Sequence, residues 1–191
     1  SDTYDPNDLG FNYNNNRRIF EISSAYREFN PKWATLMKWT VSAKFSQTYL
    51  YNPQAFTSNM ATLNFFTVTK RFNAMGFNGG VTPNATHDYF EPRSWGSVFN
   101  IPRLAFVNAW FSSNYQKPFA LDIGGNFLAY EHSPWKQYAY NISPRIRIAD
   151  ALFLVYNFEK ELQVNNFGYA IAFGDPAQDV DGILFGQRDR N

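Results

Sequence analysis

The segment MKWTVSAKFSQTYLY, residues 37–51, alternates apolar and polar residues with almost no fault. Met37, Trp39, Val41, Ala43 and Phe45 form one set; Lys38, Thr40, Ser42, Lys44, Ser46 and Thr48 form the other. A period of two puts successive side chains on opposite faces of a β-strand. The segment is far longer than the usual strand of about five or six residues. Its apolar face needs a partner surface. A second sheet or a lipid bilayer could supply one.

Composition narrows the choice. The 191 residues suffice for one sizeable domain. Aromatics make up 19% of the chain, yet mean hydropathy is −0.43, so the apolar residues are interleaved with polar ones. No run approaches the roughly 18 apolar residues of a membrane helix. A net charge of +1 gives no electrostatic footprint for nucleic acid. There is no cysteine, which removes disulfides and cysteine-based metal sites.

Helical periodicity is almost absent. Alternation recurs over residues 17–29, where Phe20, Ile22 and Tyr26 oppose Glu21, Ser23 and Arg27. The short link 30–33 then predicts an antiparallel hairpin into the segment that follows. Residues 60–72 read as a looser strand with a bulge near Phe65-Phe66. Residues 73–102 are rich in Gly, Asn and Pro and read as a long loop with at most a short extended piece. Strands resume at 103–113, which carries Leu104, Phe106 and Trp110, and at 119–131. In the latter Phe119, Leu121, Ile123, Phe127 and Ala129 oppose Asp122, Gly124 and Asn126. Tyr138, Tyr140 and Ile142 follow, then a hairpin near Ala149-Asp150 and a strand over 152–162. Residues 168–173 read as a further strand, 175–182 as a loop and 183–190 as the start of another strand. The total is about nine, in one unit with no second domain.

At least four of these segments reach the 9–11 residues that cross a bilayer as tilted strands. Trp33, Tyr49, Tyr51, Tyr115, Trp135 and Tyr138 lie near strand ends, like the aromatic girdles of outer-membrane barrels. The expected class is therefore all-β, with long antiparallel strands of a transmembrane outer-membrane β-barrel. A soluble β-sandwich or lipocalin-like barrel, its Phe and Trp lining a cavity, is the alternative. In the membrane reading Met37, Trp39, Val41, Phe45, Phe119, Leu121, Ile123 and Phe127 face lipid. Lys38, Lys44, Asp122, Asn126 and Glu159 face the lumen, where they either tune permeation or fill the interior by pairing.

Catalytic and metal signals are weak. His87 and His132 both fall in expected loops, without zinc-ligand spacing. There is no Gly-x-Ser-x-Gly elbow. Asp179, Asp181 and Gly182 match part of a calcium loop, but a further early acid and a terminal bidentate Glu are missing. The segment offers no catalytic residue, no metal site beyond that partial match and no cofactor motif.

Three motifs carry a resemblance: YDPNDLGF at 4–11, DYFEPR at 88–93 with Ile101-Pro102 downstream, and ILFGQRDR at 183–190. Together they resemble a Bacteroidota outer-membrane β-barrel family catalogued as a domain of unknown function (five-nine-one-six). That family usually follows a carbohydrate-binding family-nine-like module. The resemblance implies a barrel in the outer membrane of a Gram-negative bacterium, with lipid and other outer-membrane or surface proteins as partners and no nucleic acid. Further barrel strands follow the matching region in that family, so this segment is expected to form an open, incomplete barrel. The expected role is a transport or scaffold component. The alternative is a glycan-binding or glycan-processing protein whose active module lies upstream.

Overall fold

The computed structural model of the chain describes residues 16–92, 96–175 and 179–190, apart from the side chains of 172–181. No helix occurs among the described residues. Twelve strands are formed: β1 (Arg17–Glu28), β2 (Leu36–Leu50), β3 (Ala55–Thr69), β4 (Ala74–Val81), β5 (Thr86–Asp88) and β6 (Phe99–Ile101). Then come β7 (Leu104–Ser112), β8 (Phe119–Tyr130), β9 (Lys136–Ala149), β10 (Leu152–Val155), β11 (Phe158–Asp175) and β12 (Asp179–Arg190). All but β5 and β6 belong to one antiparallel meander, in the order β1-β2-β3-β4-β7-β8-β9-β11-β12, with β10 also on β9. β5 and β6 pair only with each other.

Period-two sequence builds long ladders. β2 pairs with β1 from Arg17↔Leu50 to Glu28↔Trp39, without a register shift. β10 and β11 pair β9 in one continuous register, Val155↔Arg145 and Phe158↔Ile142, with the Tyr156 N–H donating to the Pro144 carbonyl between them (3.1 Å). They act as a single strand.

Several sequence expectations need correction. Residues 74–81 are a full member of the sheet, laddered to β3 and to β7, so the loop is 82–103 and it contains the β5–β6 hairpin. No irregularity falls at Phe65-Phe66; the shifts lie at Leu36/Lys38 and Thr48/Tyr49 in the β2–β3 ladder. The first of these takes Met37 out of strict alternation with Trp39. Residues 168–173 continue β11 rather than forming a new strand, and residues 175 and 179–182 extend β11 and β12. The main path still holds nine strands, because a missed strand and a split one compensate.

The sheet is open. Among the described residues β1 pairs only β2, and β12 pairs only β11. β12 meets β11 from Gln163↔Arg190 to Asp175↔Asp179, whereas β9 leaves β11 at Val164↔Lys136. The β11–β12 hairpin therefore projects past the sheet, starting near Asn165, whose φ is 55°. It projects at the end carrying the long 82–103 loop, the loop end. The opposite, turn end carries the β1–β2, β3–β4, β7–β8 and β9–β10 connections.

Among the described residues there is no interior core. Leu50, Pro92 and Ala120 are the only apolar side chains buried among the described residues, and they lie far apart in the chain. The accessible surface is 13274 Å² for 22.1 kDa, where a compact water-soluble monomer of that mass exposes about 9,300 Å².

Candidate functional site

Cross-strand partners share a face, so the ladders assign every strand residue to one side of the sheet. One row reads Tyr26, Val41, Phe65, Phe77, Ala109, Gly125, Tyr140. The next reads Ala43, Leu63, Gly79, Val107, Phe127, Tyr138, Leu162. This face is apolar across eight strands. It holds Trp39, Val41, Phe45, Phe119, Leu121, Ile123 and Phe127, and these seven are half-buried to exposed.

The apolar band is staggered. On β1 it runs from Phe20 to Tyr26, between Arg18 and Glu28 on the same face. On β9 it runs from Tyr138 to Ile148, with Lys136 beyond it. Followed through the ladders, the band drifts toward the turn end by about one residue per strand, a strand tilt of about 35–40° for ordinary strand rise and spacing. Rings cluster at both limits. Trp39 lies 5.2 Å from Tyr26 and stacks on Trp33 at 6.0 Å at the turn end. Tyr49 meets Phe20 (6.2 Å) and Phe56 (5.9 Å) at the loop end. Two aromatics expected in these belts lie elsewhere: Tyr115 folds onto the polar face, and Trp135 stacks on Tyr130 at 4.3 Å.

The opposite face brings Lys38, Lys44, Asp122, Asn126 and Glu159 together on one side, as their alternation predicts. Lys44 pairs with Glu21 at 2.7 Å. Lys38 sits over the Phe66 ring at 5.6 Å. Asp122 accepts from the hydroxyls of Ser112 and Tyr115, the latter at 2.6 Å. Glu159 lies opposite Asn141.

A feature that sequence reasoning missed runs through the middle of this face. Asn64, Asn78, Asn108 and Asn126 are successive cross-strand partners on four adjacent strands. The Asn78 amide donates to Asn64, and the Asn126 Oδ1 is buried without a partner. Rings flank the ladder. Trp110 lies across Gly76 and 6.0 Å from Phe66, and Phe106 lies across Gly80. β7 thus carries large apolar side chains on both faces, with Leu104, Phe106 and Trp110 beside Asn108 and Ser112 on the polar side. The missing signal was strand register, which a single sequence does not contain.

The 82–103 loop folds across the loop end. His87, placed in β5 rather than in irregular chain, packs on Phe56 at 5.5 Å, and the Tyr89 hydroxyl donates to the Phe56 carbonyl (3.2 Å). Two residues on, Glu91 Oε1 accepts from the Tyr169 N–H in β11 (2.7 Å), and Phe99 stacks on Phe185 in β12 at 4.2 Å. Two residues span about 7 Å, whereas β3 and β11 would lie about 24 Å apart on a flat sheet. The long Tyr89 and Glu91 side chains, which make both contacts, cover part of the difference, and the remainder requires the sheet to depart from flat.

Beside this loop Glu131 accepts a two-pronged hydrogen bond from Arg103, through Nε at 2.5 Å and through Nη2. That bond holds the Glu131 carboxyl below its ordinary pKa and raises that of Arg103. His132 lies 3.8 Å from Glu131. No group of acids and histidines able to hold a metal occurs among the described residues. The side chains of Asp179 and Asp181 lie outside them.

A family model described as a domain of unknown function (DUF5916) matches residues 1–191. No curated protein and no solved structure matches the chain.

Proposed function

The chain belongs to the DUF5916 family, and from that premise we propose that it forms part of the wall of an outer-membrane β-barrel with a transport or scaffold role. The observation that carries the reading is the staggered apolar band. It is one side chain deep, no second layer covers it among the described residues, and it has aromatic rings at both limits. Lipid is the solvent such a surface matches, and the stagger gives the tilt of barrel strands. A sandwich or lipocalin-like barrel would instead bury that face against other side chains.

The polar face then lines the interior. Its middle is neutral, set by the asparagine ladder and the rings beside it. The 82–103 loop lies over one end, so the reading favours a gated or filled interior over an open pore. The outer edges of β1, β10 and the first part of β11 meet further strands, because unpaired backbone groups in hydrocarbon cost several kcal/mol each.

The test is a pair of neighbouring substitutions. Val41→Arg puts charge on the apolar band and is expected to cost about 2–4 kcal/mol in phospholipid vesicles. Thr40→Arg puts it on the polar face and costs much less. Equal losses, or a larger loss at Thr40, would reject the membrane assignment. Conductance across a planar bilayer then separates a transporter from a scaffold.

A further inference from the structure

At the turn end, the β7–β8 connection doubles back over the polar face. Ala120 beneath it is 1% exposed. Asn114 ties the turn to the β3–β4 turn: its N–H donates to Asn73 Oδ1 and its side-chain amide to the Arg71 carbonyl, both at 3.0 Å. Tyr115 is fixed by its hydroxyl on Asp122 (2.6 Å) and by its carbonyl, which accepts from Arg147 Nη2 (3.3 Å). The Arg145 guanidinium lies 4.5 Å from the Tyr115 ring and 5.6 Å from that of Phe153. A cavity of about 500 Å³ opens beside them, lined by Ser112, Ser113, Tyr115, Gln116 and Arg147.

We propose that this cavity binds an oxyanion, a phosphate or carboxylate group, held by Arg147 in its lining, with Arg145, which packs on the Tyr115 ring beside it, adding a second positive charge. The two arginines alternate on β9 and leave the same face. Among the described residues neither is in an ion pair. Arg145 Nε is buried with no hydrogen-bond partner. A guanidinium stacked on rings keeps its N–H edge free for a planar acceptor, and a fork of such donors matches an oxyanion. The nearby acid, Asp122, has its oxygens occupied by Ser112 and Tyr115. With Lys32, Lys70, Arg71 and Lys117 on the surrounding turns, Arg145 and Arg147 outweigh Glu28, Asp122 and Asp150 at this end, a net basic field that draws anions in. Nothing in the site depends on what the opposite face meets.

The experiment is a phosphorus NMR titration of inorganic phosphate against the full chain, refolded in an uncharged detergent at low chloride. Saturable binding is expected. Arg147→Gln weakens it about tenfold or more, the loss of a charge-assisted pair. Arg147→Lys weakens it less, and Lys136→Gln at the other end leaves it unchanged. A second arm uses vesicles with and without phosphatidylglycerol. A drop in anionic-vesicle binding by the Arg145→Gln/Arg147→Gln variant, without free-phosphate binding, assigns the oxyanion to a lipid headgroup. The proposal is overturned if wild-type protein binds no phosphate saturably and the double variant matches it on anionic vesicles. It is equally overturned if phosphate binds and the double variant, folded by circular dichroism, retains the affinity. Where that variant does not fold, Arg147→Lys decides: undiminished affinity in both arms overturns the proposal.

Discussion

Glycine composition misleads at single positions here. Gly76 and Gly80 suggest a loop, yet each sits in a ladder under a neighbour's ring. A Cβ at Gly80 would meet a Phe106 ring carbon at 2.6 Å and the Ala61 carbonyl oxygen at 2.8 Å. The ring could swing aside; the backbone carbonyl cannot. Gly80→Val is therefore expected to cost about 1–3 kcal/mol, as overpacking does, measurable as a lowered urea midpoint for the refolded protein. Glu131 supplies a pH prediction. Its carboxyl is held below the ordinary value chiefly by the hydrogen bond from Arg103. The stability this gives is fully present above the ordinary glutamate pKa and is lost as pH falls through the lowered one. Carbon-13 titration of the Glu131 carboxyl should show a depressed midpoint that returns toward normal in Arg103→Gln. A wild-type midpoint at the ordinary value would remove the clasp as a pH-sensitive contact.

Among elements, β2 and β8 are legible because each keeps a clean period of two over most of its length. β4 is not, because AMGFNGGV carries no alternation strong enough to outweigh three glycines. Its strand state comes from β3 and β7 on either side, an influence outside its own sequence. β11 looks like two strands because Asn165 and Asn166 resemble a turn; the chain adopts φ 55° at Asn165 and continues. The asparagine ladder needs registers on four strands, so none of its members stands out alone. For the 82–103 loop, long connections of outer-membrane barrels are extracellular. Protease added to intact cells should cut within 82–103 before any other region, and should spare 74–81, which is laddered on both sides. Cutting only after lysis would reverse the topology.

For the whole molecule, one layer with two unlike faces, the apolar one proposed to meet lipid, has a consequence for solubility. Burying apolar surface contributes about 25 cal/mol per Å², and here much of that surface is left half-covered or exposed. The chain is expected to sediment with membranes, to resist extraction by high salt and carbonate, and to dissolve in detergent. Release by carbonate alone would count against the lipid-facing assignment. The meander also has a kinetic consequence. Nearly every ladder joins strands that follow one another along the chain, so each new hairpin can zip onto the one before it at low loop-closure cost. The exception is the passage from β4 to β7, where Val81 meets Ala105, and the Thr82 N–H the Leu104 carbonyl, only after the chain has travelled out and back. Closing that excursion costs about 1.5 kcal/mol more entropy than a four-residue turn. Assembly is thus a sequence of fast steps with one pause. The half before the pause and the half after it can each form first.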